Sequence, residues 1–470
     1  MKEAQHHQTA AEDRIPISRK AAFGFGSMSQ ILGGHSIGNL ANYVFNIALG
    51  VSPILVGLAQ SIPRIVDAFT DPLMGNISDN TRSRWGRRRP YMFVGAIFMG
   101  LFYAAIWYLP KGWSEYAYFA YFLGTSLLFY AALTVFMVPW SALGYEMTSD
   151  YHERTRLQAW ANFFGSIGSL VFPWLFWLTQ RNVFEDTIEG ARWVGAGLGI
   201  ILIITALISA FFCKEVRYED AVKQKKTPLW SSLKQACSNR VFMRLMTVVL
   251  LVGSAFFTIM TLSPYITIYY VMNGDAEAAS FYLGLYGTSW VASSLIMTPI
   301  VSWAATRFGK KRILTIAICV NLLGHVAKIW CYVPGLPLLI CIPPALLAAG
   351  FAGLWVIIPS MNADICNLDE LETGTSSEGM YSAVYGWFQK TSISVAMMLG
   401  GVLLVMAGYD ASLEAAQTES AIRWLRILEA GVPIPVVLTG IYLITKYPLS
   451  EERMYEIRRQ LKRRKQELSS

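Results

Sequence analysis

Long runs of apolar residues fill most of this chain, and they decide what it can fold into. Each run is close to the length that a helix needs to cross a bilayer, about 20 residues. Only 15% of the residues are charged, compared with about 25% in soluble domains. The sequence therefore predicts an all-α membrane protein with twelve transmembrane helices. The predicted spans lie near residues 22–49, 54–79, 90–110, 117–145, 157–179, 192–213, 241–271, 281–305, 313–332, 337–363, 378–408 and 426–446.

The distribution of basic residues predicts the orientation of these spans. Most of the 39 Lys and Arg residues lie in the two termini and in the connections that follow even-numbered spans. The opposite connections contain Lys111, Arg181, Arg192 and Arg423. Because cytoplasmic loops are enriched in basic residues, both termini are predicted to be cytoplasmic. The membrane topology therefore accounts for most of the basic residues in this chain of net charge +8. No nucleic-acid partner is expected.

A polar segment after the sixth span divides the chain into two halves. We predict an N-terminal six-helix bundle at 1–213, a central cytoplasmic linker at 214–238, a C-terminal six-helix bundle at 239–447 and a basic cytoplasmic tail helix at 448–470. The tail is expected either to lie near anionic lipid head groups or to be a solvated charged helix.

A short internal repeat supports this division. The second span ends in PLMGNISDNTRSRWGRRR from Pro72, and the eighth ends in PIVSWAATRFGKKR from Pro299. Both segments run from Pro through small residues to an aromatic–Gly–basic turn. Internal symmetry around a central linker is typical of secondary transporters.

The second span contains three charged residues, Arg64, Asp67 and Asp71. Spacings of three and four residues place them on one face of a helix. Charged residues within a bilayer are costly and are functional candidates by default. Two carboxylates and one Arg leave a net negative site, which would bind a hard cation such as Na+ or hold a proton. The alternative is a structural Arg–Asp pair that locks helices together.

Basic residues in later spans could compensate these acids. Lys390 is the only charge deep in the eleventh span, and His325 and Lys328 lie in the ninth. Lys328 could instead snorkel or form a structural pair, and His325 could be a packing residue or a proton relay. Polar and aromatic side chains within spans could also form a sugar platform, and the candidate substrate-binding residues of this kind are Gln30, Asn42, Trp140, His325 and Trp355.

Other function classes lack their sequence signatures. The six Cys residues show no CxxC or CxH spacing, which predicts buried thiols and not disulfides or metal ligands. No HExxH or phosphate-loop motif occurs, and no enzyme is predicted. The first apolar run is too long for a cleavable signal peptide and is expected to stay as the first helix.

Two segments resemble motifs of a known family. These are DAFTDPLMGNISDNTRSRWGRRRP from Asp67 and ADICNLDELETGTSSEG from Ala363. They resemble the glycoside–pentoside–hexuronide:cation symporter family, and the resemblance runs through most of the chain. It implies a major facilitator fold, alternating access and a cation site that includes Asp67 and Asp71.

The resemblance implies roles for four further residues. Thr134 matches the cation ligand of the fourth span, and Lys390 matches a Lys near that site. Thr70 stands where sodium-using members carry Asn, which leaves proton coupling open. Trp355 falls where a Trp of the sugar pocket is expected. Arg64 is placed with Lys390 as a coupling residue.

Three departures from the family pattern bear on the substrate. Met28 and Met137 stand where galactoside transporters have two Asp residues that bind sugar hydroxyls, and Asn162 replaces a nearby Arg. A Met thioether is only a weak hydrogen-bond acceptor. The substrate site expected around these residues therefore suits a different glycoside, a uronate or another sugar-derived anion.

We predict a cation-coupled symporter of a sugar, glycoside or uronate in the cell membrane, with the bacterial inner membrane as the expected location. It is expected to be a monomer and to need no cofactor besides co-transported Na+ or H+. The alternatives are a same-fold transporter of a lipid-like or other anionic metabolite, and a membrane sugar sensor that does not transport. Cytoplasmic charge pairs are predicted to latch the outward-open state, and the residues are Arg87, Arg88, Asp364, Asp369 and Glu372.

Overall fold

The computed structural model describes most of the chain. The described residues are 14–148, 151–213, 237–373, 378–413, 416–448 and isolated positions between 453 and 463. The predicted linker at 214–238 lies almost entirely outside them. All regular elements among the described residues are helices, which confirms the all-α prediction.

The N-terminal half forms seven α-helices. They are α1 (Ile17–Ala41), α2 (Pro53–Asn80), α3 (Arg89–Ile106), α4 (Glu115–Glu146), α5 (Tyr151–Ser169), α6 (Leu175–Thr179) and α7 (Thr187–Phe212). A π-helical segment at Asn42–Ala48 follows α1, and a 3₁₀ turn at Phe172–Trp174 joins α5 to α6.

The C-terminal half forms eight α-helices. They are α8 (Arg240–Ile266), α9 (Ala276–Phe308), α10 (Lys310–Cys331), α11 (Ile342–Ala352), α12 (Ile358–Thr373), α13 (Glu378–Met406), α14 (Glu419–Gly431) and α15 (Pro433–Thr445). A π-helical segment at Thr267–Val271 follows α8, and another at Gly353–Ile357 joins α11 to α12. Short 3₁₀ turns lie at Pro337–Cys341 and Ala411–Leu413.

Side-chain caps fix where several helices begin. Asp186 accepts a hydrogen bond at 2.8 Å from the backbone N–H of Glu189, the third residue of α7. Asp275 caps α9 in the same way, and Asn239 accepts from two N–H groups at the start of α8. An N-cap oxygen satisfies backbone donors that the first turn leaves unpaired. The polar residues between spans therefore set the helix starts.

Nine helical stretches among the described residues are long and apolar enough to cross a membrane. The other three predicted spans correspond to α1, α2 and α9, which are helical over 25, 28 and 33 residues. The count of twelve spans and the cytoplasmic placement of both termini stay predictions.

The described residues fall into two compact units. The N-terminal unit contains most of α1 to α7, and residues 52–61 at the start of α2 group with the C-terminal unit. In the N-terminal unit α1 packs on α5 and α7, and α3 packs on α4 and α7. In the C-terminal unit α8 packs on α13 and α15, and α10 packs on α11 and α15. The corresponding spans of the two halves thus have corresponding neighbours.

The glycine of the aromatic–Gly–basic turn has a positive φ in both halves. Gly86 has φ of 93° and Gly309 has φ of 89°. This left-handed region favours glycine, because other residues carry a Cβ that clashes there. The conformation explains why both copies of the repeat keep a glycine at this turn.

The described part of the basic tail packs on protein. Met454 and Ile457 are buried against Leu368 and Leu371 of α12, while Arg459 is exposed. The apolar face of the tail is therefore covered by the C-terminal unit. Contact of the basic face with lipid head groups stays a prediction.

Candidate cation site

The three charged residues of α2 lie on one face of the helix, as their spacing predicts. Arg64 and Asp67 are buried, with 8% and 4% of their surfaces exposed, and Asp71 is half-buried. All three residues lie after Ile62, where α2 enters the N-terminal unit. The site therefore belongs to that unit.

Thr134 of α4 brings a hydroxyl to both acids. Its Oγ1 donates to Oδ1 of Asp67 and lies 3.2 Å from Oδ1 of Asp71. Thr134 is itself buried, with 2% exposed. The structure thus gathers two carboxylates and one hydroxyl, all oxygen ligands of the kind that hard cations prefer.

Thr70 uses its hydroxyl differently. Its Oγ1 donates to the backbone carbonyl of Asp67 at 3.2 Å, within α2 itself. This is the usual bond of a Thr side chain inside a helix. Thr70 is among the predicted cation-binding residues, and that role stays a prediction.

Arg64 connects α2 to two neighbouring helices. Its guanidinium donates to the backbone carbonyl of Gly34 on α1 and lies 4.5 Å from the ring centroid of Tyr130 on α4. These contacts differ from the structural Arg–Asp pair considered from the sequence. Sequence reasoning missed Tyr130, although it lies four residues before Thr134 and so shares its helical face.

The candidate substrate residues of the N-terminal unit lie in different environments. Met28, Gln30 and Met137 are half-buried, Asn42 is buried in the π-helical segment after α1, and Asn162 is exposed. No described contact joins these five into one cluster. Their common substrate role stays a prediction.

Trp140 is used in packing. Its indole N–H donates to the carbonyl of Phe23 at 3.2 Å, and its ring stacks on that of Phe23 at 4.7 Å. It is 6% exposed. Its donor and one ring face are thus occupied within the bundle, and its predicted role in a sugar platform stays a prediction.

Two candidates in the C-terminal unit have opposite surroundings. Trp355 is 44% exposed in the π-helical segment between α11 and α12, which keeps it available to a ligand. His325 is fully buried, and its Nε2 lies 3.1 Å from the side-chain oxygen of Asn321. No surface of the His325 ring is exposed, and its predicted substrate role stays a prediction.

The two basic residues predicted to compensate the acids of α2 also differ. Lys390 lies half-buried on α13, and its coupling role stays a prediction. Lys328 forms an ion pair with Glu429 of α14 at 2.9 Å, inside the C-terminal unit. This corrects the idea that Lys328 answers the acids of α2 and bears out the alternative of a structural pair.

The predicted cytoplasmic gate is described in part. Arg87, Arg88, Asp364 and Asp369 are all buried. Asp364 forms an ion pair with the ammonium of Lys310, at the start of α10. Sequence reasoning missed Lys310, although it follows the glycine of the second aromatic–Gly–basic turn.

The latch itself stays a prediction. The side chain of Glu372 lies outside the described residues.

Comparison with known proteins identifies the family. Residues 22–451 match the MFS/sugar transport protein family. The chain belongs to this family. It is therefore a multi-pass transporter of the cell membrane and not an enzyme, and the predictions of symport and a small-molecule substrate are confirmed at that level.

Two relatives match over nearly their full lengths. A glucuronide carrier protein homolog from Escherichia coli (strain K12) is 26% identical over 445 residues, covering 90% of this chain and 93% of the relative. Sodium-dependent lysophosphatidylcholine symporter 1 from Gallus gallus is 24% identical over 506 residues, covering 99% and 93%.

A solved structure supports the fold. The crystal structure of a D-xylose-proton symporter superposes with a TM-score of 0.59 at 14% identity, covering 90% of this chain and 95% of that one. The predicted major facilitator fold is confirmed.

Proposed function

We propose that this protein is a cation-coupled symporter of a sugar, glycoside or uronate, with its cation site at Asp67, Asp71 and Thr134. The observation that carries the proposal is the Thr134 hydroxyl, which contacts the carboxylates of both acids. The family match supports the class of activity.

The electrostatics of the site support coupling to a cation. Two carboxylates that share one hydroxyl repel each other when both are ionised. A bound Na+ would offset this repulsion, and so would a proton on one acid. The site therefore changes its net charge with occupancy, which is what coupling to an ion gradient requires.

Two relatives support different substrates. The glucuronide carrier homolog favours a sugar-derived anion. The lysophosphatidylcholine symporter favours a lipid-like substrate, and Met28 and Met137 would fit an apolar chain better than sugar hydroxyls. A lipid-like substrate is therefore the second candidate.

Uptake into proteoliposomes tests the proposal. Purified protein would be assayed with a radiolabelled glucuronide, a xyloside and lysophosphatidylcholine, under an inward Na+ gradient, an inward proton gradient or neither. We expect accumulation of one sugar-derived substrate under one gradient. Accumulation of the lysolipid alone would select the second candidate.

A counterflow assay separates transport from sensing. Protein-dependent binding of a sugar with no exchange of labelled for unlabelled substrate would contradict transport and favour the sensor. Exchange that is equally fast with no Na+ and at every pH would contradict cation coupling.

A further inference from the structure

A second cluster of buried charge lies in the C-terminal unit, and the proposed cation site makes no use of it. Lys328 on α10 and Glu429 on α14 are 2% and 1% exposed, and the Lys Nζ lies 2.9 Å from Glu429 Oε1. Charges within membrane-spanning helices are costly unless they are paired and hydrogen-bonded. A buried charge pair of this kind is therefore a candidate for a specific role in the bundle.

Neutral donors converge on the same carboxylate oxygen. Ser263 of α8 donates its hydroxyl to Glu429 Oε1, and the Tyr332 hydroxyl lies 3.1 Å from that oxygen. The hydroxyl of Tyr286, on α9, lies 3.3 Å from that of Ser263. Lys328, Ser263 and Tyr332 thus all contact Oε1 of Glu429, which makes this oxygen the centre of a buried cluster that joins α8, α10 and α14.

The cluster lies where three helices lose their regular form. The π-helical segment after α8 begins at Thr267, whose hydroxyl donates to the Ser263 carbonyl at 2.9 Å. Helix α10 ends one residue before Tyr332. Helix α14 ends just before Pro433, which lacks the N–H that would bond the carbonyl of Glu429. The regular α-helical form changes or ends at all three points, and the side-chain cluster joins the three helices there.

We propose that Lys328 and Glu429 are positioning residues for transport. They form a charge-balanced pin that keeps the ends of α8, α10 and α14 in one geometry through the cycle. Neither residue touches the cation or the substrate in this role. The pin depends on balance, because removing one partner leaves a buried unpaired charge and removing both leaves none.

Four variants test the pin. They are Lys328→Met, Glu429→Gln, the double variant Lys328→Met/Glu429→Gln, and the control Lys111→Met. The control removes one partner of an exposed ion pair, Lys111–Asp186, which contributes little when solvated. The thermal stability of purified protein and the counterflow of the substrate identified by the uptake panel are measured for each.

We expect each single variant to lower the melting temperature and to reduce exchange by about tenfold or more. The double variant should recover both properties toward the wild type, and the control should match the wild type. The double variant decides the outcome even if a single variant fails to reach the membrane. The thermal-stability measurement needs no substrate, so its result can be interpreted even if the proposed function is wrong.

Two results would overturn the pin. A double variant as inactive as Lys328→Met would show that the charges themselves act in transport. An active Glu429→Gln with a shifted pH profile of exchange would show that Glu429 carries a proton. Since His325, Tyr286 and Tyr332 also face the pair, the pH profile of His325→Gln is measured beside it.

Discussion

One hydroxyl on α4 contacts both carboxylates of the proposed cation site. The Thr134 Oγ1 contacts Asp67 and lies 3.2 Å from Asp71. It therefore adds one hydroxyl oxygen to the two carboxylates that a cation would meet. A substitution at this position should change the affinity for the cation more than the affinity for the substrate.

Replacing Thr134 by Ala should weaken cation binding. A hydrogen bond to a charged group contributes about 1.5–3 kcal/mol, so the cation concentration for half-maximal transport should rise by about tenfold or more. The measurement is uptake as a function of Na+ concentration or pH at fixed substrate.

Thr134→Ser is the matched control, because it keeps the hydroxyl and loses only a methyl group. It should stay close to the wild type. If Ala and Ser variants both showed the wild-type cation dependence, Thr134 would not be a ligand.

The sequence predicts part of this site for clear physical reasons. Asp67 and Asp71 are identifiable because charge inside an apolar span is rare and their spacing places them on one face. Thr134 was assigned only through a family resemblance, since α4 is apolar on every side and shows no polar stripe. The Gly34 carbonyl that binds Arg64 has no sequence signal at all.

The same uniform hydropathy explains why the packing of Trp140 is not predictable from the sequence. In a helix that is apolar all round, the sequence does not show which face meets other helices. Trp140 and His325 are both buried, and a substrate role for either residue stays a prediction.

At the scale of elements, the predicted spans and the observed helices differ mainly at the ends. Helix α5 begins at Tyr151, six residues before the predicted span, and α12 continues to Thr373 through the acidic segment. Backbone hydrogen bonds continue past the apolar region, so hydropathy marks the membrane part of a helix and not its full length.

Small residues set the distance between α3 and α7. A Cβ built on Gly199 would lie 2.6 Å from the carbonyl oxygen of Gly100, which is far inside van der Waals contact. Close backbone approach at small residues is a common way for membrane helices to pack. We therefore predict that position 199 does not tolerate a side chain.

Gly199→Ala should destabilise the N-terminal unit. Overpacking of this kind costs about 1–3 kcal/mol, and it should lower the melting temperature of purified protein. Gly197→Ala on the same helix is the control, because no atom lies within 4 Å of its built Cβ. Equal melting temperatures for the two variants would contradict the close contact.

At the scale of the whole molecule, the two units repeat one packing scheme. The first and third spans of each half contact the corresponding later spans of that half. The sequence showed this only as a short repeat, because packing geometry is kept by residue size and hydropathy while identities diverge. The aromatic–Gly–basic turn is the exception, because its glycine has a positive φ that other residues adopt only with backbone strain.

The central claim concerns what drives transport. If the acids of α2 bind the coupling cation, neutralising one of them should break the link between the ion gradient and the substrate gradient. Exchange of substrate across the membrane needs no net cation flux and should survive. Measuring both accumulation and exchange therefore distinguishes loss of cation coupling from loss of substrate transport.

The most direct test is gradient-driven accumulation by Asp71→Asn, measured beside its counterflow exchange in the same proteoliposomes. Asp410→Asn, an acid on an exposed turn, is the control and should match the wild type in both assays. We predict that Asp71→Asn retains exchange and loses accumulation above the external concentration. Accumulation at the wild-type level by Asp71→Asn would contradict a coupling site at these acids.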